Sequence, residues 1–225
     1  MSGDAPITER VVLRDGSAIL VRPIDPGDKE VLSEGLRRMS PESRYRRFFT
    51  RTDDFNSGEL RYLTEVDHHD HEALLAGDEK TGEGIGAARY VRSPTNPSRA
   101  EVAVSVVDDW HGRGVASELL RLLTVRARQE GITHFTATVL ATNRPALDLL
   151  SGVGVVLDLS ITTGTAEMLI ELPETDDPAA LGDQLRGSLR AVAAGRLEAE
   201  PWRMLKRQLT EHLDSVRRKI DPRSS

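Results

Sequence analysis

Two glycines flank an arginine at Gly112-Arg113-Gly114, between an apolar β-branched run and a leucine-rich segment with helical spacing. The first amides of a helix have no partner within the helix, and together with the helix dipole they favour an anion. Glycine has no Cβ, so a ligand can approach its backbone closely. The stretch therefore predicts a phosphate-binding turn, and a purely structural glycine turn before a helix is the alternative.

Two common phosphate-binding motifs do not fit this stretch. A P-loop ends in Gly-Lys-Ser/Thr, and the glycine-rich turn here continues as Gly114-Val115-Ala116. A dinucleotide fingerprint needs a third glycine, where this chain has Ser117. It also needs an acidic residue near the end of the next strand, and "TATVLATN" contains none.

A second group of reactive side chains lies in "EVDHHDHEALL", which contains His68, His69 and His71 among acidic residues. Histidine and carboxylate groups are metal ligands, but adjacent histidines in a turn before a strand point in different directions. No second cluster completes a ligand shell, so we expect no metal. Two functional roles stay open for His71, as a residue of a substrate groove or as a proton carrier. The alternative is that it belongs to a polar loop that packs beside the sheet.

Turn and cap residues indicate the elements that position these groups. Asp15-Gly16 joins two apolar runs and predicts a hairpin over 10–23. Asp25 and Ser40 each precede a proline and predict helix starts. Further helices are predicted for 57–65, 114–129 and 143–150, and strands for 72–76, 84–91, 100–107, 132–140, 153–161 and 165–172. Helices between strands indicate an α/β sheet.

Composition narrows the class of protein. The chain has 225 residues, a formal net charge of −6 and no cysteine. The acidic balance disfavours a nucleic-acid partner, and the lack of cysteine excludes disulfides, thiolate metal sites and a cysteinyl intermediate. We expect a cytoplasmic protein without a membrane partner, because no secretory signal and no apolar run of about 18 residues occurs.

The composition changes after residue 172. We predict one domain over 1–172, and a linker with two amphipathic helices over 173–225. Leucines 181, 185 and 189 mark the first helix, and apolar residues between 202 and 220 mark the second. We expect these helices to pack on the main domain or on a second subunit of a homodimer, with a regulatory lid as the alternative.

The segment His111–Ala116 resembles the Gln/Arg-x-x-Gly-x-Gly/Ala signature of the GNAT acetyltransferases, with histidine in place of the usual first residue. "VRPIDPGDKEVLSEGLRRMSPESRYRRFF", "AEVAVSVVDDWHGRGVASELL" and "GITHFTATVLATN" resemble the bacterial protein lysine acetyltransferase branch, over about 11–172. The resemblance implies a GNAT-type α/β (α+β) fold: a mixed, mostly antiparallel central sheet with flanking helices, followed here by a C-terminal helical extension. We expect no cyclic-nucleotide-binding domain before it.

The resemblance also implies acetyl-CoA as co-substrate. Its pyrophosphate would be held by a group of consecutive residues: Gly112, Arg113, Gly114, Val115, Ala116 and Ser117. Val104, Ser105 and Val106 would line the pantetheine arm on a strand that splays from its neighbour, and the Val106 N–H would polarise the thioester carbonyl. Asn143 matches the asparagine near the thiol, and it can also cap the helix that it opens.

Acetyl transfer requires a neutral amine, and a lysine amine has a reference pKa of about 10.4. The resemblance implies Glu101 as the general base. Strand alternation places Glu101 on one small, polar face with Ala103 and Ser105, and a solvent-facing glutamate at a strand end is the alternative. Leu150 stands where many family members have a tyrosine that protonates the departing thiolate, so the general acid stays unassigned.

Together these features predict an N-acetyltransferase that moves acetyl directly from acetyl-CoA to a protein lysine or a small-molecule amine. A non-catalytic acyl-CoA-binding module that acts through its C-terminal helices is the alternative. A basic helical face lies near where acceptors enter GNAT sites, and we expect it to be solvated; it comprises Arg37, Arg38, Arg44, Arg46 and Arg47.

Overall fold

The computed structural model describes residues 8–49, 53–175 and 177–193. Within them, eight strands form one sheet in the order β1-β2-β3-β4-β5-β6-β8-β7. The strands are Glu9–Val12 (β1), Ala18–Pro23 (β2), His71–Asp78 (β3), Gly84–Arg92 (β4), Arg99–Val106 (β5), His134–Leu140 (β6), Val155–Thr162 (β7) and Thr165–Glu171 (β8). The α-helices are Lys29–Arg37 (α1), Pro41–Phe48 (α2), Ser57–Thr64 (α3), Val115–Gln129 (α4), Arg144–Ser151 (α5) and Pro178–Ala193 (α6).

The sheet is antiparallel except at its centre, where β5 and β6 run parallel. Parallel neighbours need a crossover connection, and α4 supplies it. The predicted fold class, a mixed and mostly antiparallel sheet with flanking helices, is confirmed. Within the described residues the predicted strands and helices are present, with ends that differ by one or a few residues.

Local residue chemistry explains most element ends. Gly16 has φ +83° in the β1–β2 turn, and Gly131 has φ +76° just after α4, a backbone region that suits glycine. The Asp25 carboxylate accepts from the Gly27 amide at 2.7 Å, as predicted for a cap. The structure differs from the prediction here, because a short 3-10 turn precedes α1. Asp28 causes it by accepting from the Asp25 amide at 2.8 Å.

The core lies between α4 and the sheet. Leu119, Leu120 and Leu123 of α4 are fully buried, as are Tyr90 of β4 and Phe135 of β6. Side chains of this size bury most of the apolar surface that stabilises a domain. This packing fixes the start of α4 relative to the ends of β4 and β5, which is where the glycine-rich turn lies.

The helix α6 confirms the first of the two predicted C-terminal helices. It packs on α4 and α5, and Leu181, Leu185 and Leu189 are only 1%, 1% and 5% exposed. The expectation that this helix packs on the main domain is therefore correct. The second predicted helix lies outside the described residues. None of the described helices is long and apolar enough to cross a membrane.

Candidate active site

The parallel strands β5 and β6 separate after three residue pairs. Glu101 pairs with Thr136 at the last of these positions, and beyond it β6 keeps only β8, with which it pairs along its whole length. The rest of β5, residues 102–106, has no strand on that side in the described part of the chain. The expected splay is thus present, and it opens a gap beside the C-terminal half of β5.

The register of β5 determines which backbone groups face this gap. The Val107 amide donates to the Ile85 carbonyl at 2.9 Å, and Val106 lies opposite Gly86 on β4. Because inward and outward groups alternate along an antiparallel strand, the amides and carbonyls of Val104 and Val106 point away from β4, into the gap. They are in place to pair with an extended ligand.

The imidazole of His111 contacts this edge of β5. Its Nε2 donates to the Val106 carbonyl at 2.9 Å, so this ring nitrogen carries a hydrogen whenever the bond is made. The bond ties the glycine-rich turn to the strand and leaves the Val106 amide facing the gap. The residue that departs from the family signature therefore has a structural role of its own.

The turn before α4 leaves the first helical amides open to a ligand. Gly112 has φ +72° and Gly114 has φ +98°, and a Cβ at either position would meet no atom within 4 Å. No side chain caps the start of α4. The amides at Val115, Ala116 and Ser117 are therefore available to a diphosphate, together with the positive end of a 15-residue helix.

The side chain of Arg113 is already engaged elsewhere. Its Nε donates to Asp15 of the β1–β2 turn at 2.6 Å, and its guanidinium lies 3.8 Å from the centre of the Trp110 ring. The pKa of Asp15 is lowered by hydrogen bonds from Ser17 and then from Arg113. Arg113 thus fixes the outside of the turn, and its backbone is what faces a ligand.

Asn143 and Leu150 lie at the two ends of α5. The Asn143 side chain accepts from the Ala146 amide at 3.4 Å, so the predicted cap is confirmed. Leu150 is 4% exposed and belongs to the core. The position of the family tyrosine therefore holds an apolar side chain that cannot donate a proton.

Glu101 lies where the gap between β5 and β6 opens. Its side chain is exposed, and among the described residues it makes no hydrogen bond. The electric field of Glu101 reaches Arg47 of α2 and favours its charged form. An exposed carboxylate at the mouth of a gap can accept a proton from a group that enters there.

A pocket of about 580 Å³, including its open mouth, lies on the same side of the sheet. Its walls are mostly apolar side chains of α1 together with Phe48 and Phe55, and its floor includes Gly86 of β4 and the segment 105–107. Val106 belongs to both the pocket and the gap. The pocket therefore meets the gap at the end of β5.

Arg47 lines this pocket, which corrects one prediction. It was expected on a solvated basic face, yet its Nε is buried and has no hydrogen-bond partner among the described residues. Burial lowers the pKa of Arg47. The side chain turns inward because Phe48, over which the Arg47 guanidinium lies at 4.9 Å, also faces the pocket.

The remaining arginines of that predicted face have partners. Arg37 pairs with Glu30 and Glu34, and Arg46 pairs with Glu42 at 2.5 Å. Arg44 is mostly buried, and it pairs with Asp53 at 2.7 Å. Only part of the face is therefore solvated.

Arg89 of β4 also lines the pocket, and sequence reasoning missed it. It is 8% exposed, and it donates to His71 Nε2 and to the Leu63 carbonyl, both at 3.2 Å. Burial and then the charge of Arg47 lower the pKa of Arg89 to about 10. Burial and then Arg89 lower the pKa of His71 to about 4, so His71 is a neutral acceptor. A charged residue inside the apolar run "GIGAARYV" was the available signal.

The three histidines of the acidic cluster point to three different partners. His68 Nδ1 bonds Glu72 at 2.7 Å, His69 bonds Glu130, and His71 bonds Arg89. No group of three or more ligand side chains in the described residues could hold a metal ion. The histidines serve as hydrogen-bonding partners of the sheet and of α4.

Comparison with known proteins adds the following matches. Residues 36–154 match the model of the acetyltransferase (GNAT) family. Over 189 residues the chain is 36% identical to the acetyltransferase Pat of Mycolicibacterium smegmatis, covering 81% of this chain and 55% of that protein. It is 30% identical to an acetyltransferase of Pseudomonas aeruginosa, covering 64% of this chain and 78% of that protein.

Solved structures give the same result. The GNAT domain of S. lividans PAT superposes with a TM-score of 0.68 at 34% identity, covering 73% of this chain and 97% of that domain. The chain spans only about half the length of its mycobacterial relative, at 55%.

Proposed function

Since the chain belongs to the GNAT family of acetyltransferases, we propose that it transfers an acetyl group from acetyl-CoA to an amine. The observation that carries this proposal is the continuous surface from the uncapped start of α4 to the unpaired edge of β5. One end suits a diphosphate and the other suits an extended amide chain. The two together match the two ends of the CoA molecule.

The uncapped amides at the start of α4 hold the pyrophosphate. Gly112 and Gly114 keep that surface free of side chains, and the helix dipole adds favourable electrostatics without a lysine or arginine side chain. The pantetheine arm then runs along β5, where Val104 presents its amide and carbonyl and Val106 presents its amide, since the Val106 carbonyl accepts from His111. Asn143, which is half-buried at the start of α5, is placed near the thiol end of the arm by its match to the family asparagine.

The chemical step joins the acceptor nitrogen to the acetyl carbon and breaks the carbon–sulfur bond. The Val106 amide donates to the thioester oxygen as negative charge develops on it, and a preorganised donor of this kind lowers the barrier. Glu101 accepts the proton that the amine must lose, directly or through one water. Solvent protonates the thiolate, because Leu150 has no proton to give.

The acceptor is an amine that reaches the pocket between α1, α2 and β4. A lysine side chain of a protein and a small-molecule amine both meet this requirement. The resemblance to the bacterial protein lysine acetyltransferase branch supports the first, and the apolar pocket with two arginines supports the second. We place the domain boundary after residue 172, with α6 as a helix of the C-terminal extension that packs back on the domain.

Thiol release from acetyl-CoA in the presence of an amine panel tests the proposal. We expect free thiol to form at a rate that depends on both substrates, and we expect CoA alone to raise the melting temperature. A non-catalytic acyl-CoA-binding module would show the same thermal stabilisation but no thiol release above the rate without protein. That outcome would show that the protein is an acyl-CoA-binding module and not an acetyltransferase.

A further inference from the structure

We propose that the pocket holds a carboxylate between Arg47 and Arg89. The acetyltransferase then acts on a small molecule that carries a carboxylate, rather than on an amine that has none. This inference rests on the proposed function, because the same pocket meets the thioester position at Val106. It deepens that function by naming the chemical class that the pocket selects.

The first observation is that two cations that line the pocket, the buried Arg89 and the partly buried Arg47, lack an anionic partner in the described residues. Neither Arg47 nor Arg89 forms an ion pair with a carboxylate in the described parts of the chain. Arg89 is satisfied only by neutral acceptors, the His71 ring and the Leu63 carbonyl. The Nε of Arg47 has no acceptor at all in the residues described. A buried charge without a counter-charge is costly, so such pairs are retained where a ligand supplies the counter-charge.

The second observation is that other arginines of the same region are paired. Arg46 and Arg44, one and three residues before Arg47, pair with Glu42 and Asp53. Arg92, three residues after Arg89, pairs with Asp70 at 2.6 Å. These neighbouring arginines therefore form ion pairs with carboxylates, whereas the two arginines that line the pocket form none in the described residues.

The third observation concerns the groups that face these arginines. Glu101 and Tyr62 act on Arg47 electrostatically, and Tyr62 also acts on Arg89. The ring of Tyr62 lies 5.0 Å from that of His71. No group here is a resident anion inside the pocket, and the apolar walls strengthen any ion pair that forms within it.

Two kinds of molecule can carry a carboxylate to this position. An acceptor such as an amino acid has one beside its amine, and an acyl group such as succinyl has one at its far end. We favour the acceptor, because the arginines lie on α2 and β4, whereas the pantetheine arm approaches along β5. Both sources use the same contact, so one set of variants tests both.

The test uses the full chain as wild type, Arg47→Met and Arg46→Met. Met keeps much of the length of arginine without the charge, and Arg46 is the matched control because it is exposed and paired with Glu42. The acceptor arm compares L-glutamate, L-methionine and L-lysine with their α-carboxamides, by transfer rate and by calorimetry without acetyl-CoA. The acyl arm compares succinyl-CoA with butyryl-CoA by calorimetry.

We expect the wild type to prefer the carboxylate in the acceptor arm by about tenfold or more, because a hydrogen bond to a charged group is worth about 1.5–3 kcal/mol. Arg47→Met should lose this preference and Arg46→Met should keep it. A preference confined to the acyl arm, with the same response to the variants, would place the carboxylate on the acyl chain and still support the subsite.

The inference would be overturned if acids and amides bind equally in the acceptor arm and succinyl-CoA binds no better than butyryl-CoA in the acyl arm. A preference that survives Arg47→Met would also overturn it. If the α-carboxamides are acetylated as fast as the amino acids, the proposed function stands and the inference alone falls. If the protein binds no CoA and releases no thiol, the proposed function falls, and calorimetry with the amino acids alone still decides the inference. Arg47→Met should also keep a melting temperature close to that of the wild type, since the partly buried cation that it removes has no ion-pair partner in the described residues.

Discussion

The imidazole Nε2 of His111 donates a hydrogen bond to the carbonyl oxygen of Val106 at 2.9 Å. This bond joins the turn that faces the diphosphate to the strand position that faces the thioester. One side chain therefore links the two ends of the proposed CoA site, in addition to the packing of α4 on the sheet. Glutamine or arginine at the same position, as in most of the family signature, would also donate.

His111→Leu and His111→Gln test this connection. Leu removes the donor and should raise the Kd for CoA about two- to tenfold, which is the usual worth of one partly exposed hydrogen bond. Gln can donate through its amide and should bind CoA like the wild type. Calorimetry on the two variants measures the effect. Equal loss in both variants would mean that the ring, rather than its hydrogen bond, supports the site.

Gly114→Ala tests the backbone of the turn. With φ +98° at this position, alanine should cost about 1–2 kcal/mol of stability in urea denaturation and also weaken CoA binding. Gly187→Ala is the matched control, because a Cβ there meets no atom within 4 Å and the residue lies inside α6. Gly187→Ala should raise the free energy of unfolding by up to about 1 kcal/mol and leave CoA binding unchanged. Unaltered CoA affinity in Gly114→Ala would contradict the role of the turn.

Sequence reasoning predicted the turn, the caps and the sheet because these depend on neighbouring residues. Asp15-Gly16, Asp25 and Gly131 each impose a local geometry whatever the rest of the chain does. The 3-10 turn before α1 was missed, because the Asp28 side chain forms a second contact, with Arg22 at 2.5 Å, that spacing alone does not show.

The pocket arginines could not be predicted in the same way. Arg89 faces the pocket because the β3–β4 pairing places it opposite Ala73, within reach of His71. Arg47 turns inward with Phe48, over whose ring its guanidinium lies, and both side chains line the pocket. Both results depend on contacts between distant parts of the chain, which residue types and periodicity do not specify.

The neutral state of His71 predicts how stability responds to acid. The folded pKa is about 4 and the ordinary value is 6.5, so between these values the unfolded chain binds a proton that the folded chain does not. Stability should therefore fall as the pH is lowered from about 6.5 to about 4. In His71→Gln the side-chain oxygen still accepts from Arg89, and this part of the loss should disappear.

Urea denaturation of both proteins across that pH range measures the difference. Other groups titrate identically in the two proteins, so the comparison isolates His71. A loss of the same size in His71→Gln would show that the pKa of His71 does not differ between the folded and the unfolded chain.

Glu101→Gln tests the proposed base. Gln keeps the shape of the side chain but cannot take a proton, so kcat should fall about 100-fold or more while CoA affinity is unchanged. Glu167→Gln is the control, since Glu167 is exposed on β8 and does not line the pocket. It should keep full activity. A kcat for Glu101→Gln equal to that of the wild type would remove Glu101 from the mechanism.

The start of α4 is the feature on which the account depends most, and Ser117→Glu tests it most directly. A glutamate in the first turn should stabilise the helix by about 0.3–1 kcal/mol, yet its charge would repel a diphosphate bound to the same amides. Calorimetric titration of CoA into wild type and Ser117→Glu is the decisive measurement. We predict binding to the wild type and an affinity at least about tenfold weaker in the variant, without loss of melting temperature. No association of CoA with the wild type, or equal affinity in both proteins, would contradict the account.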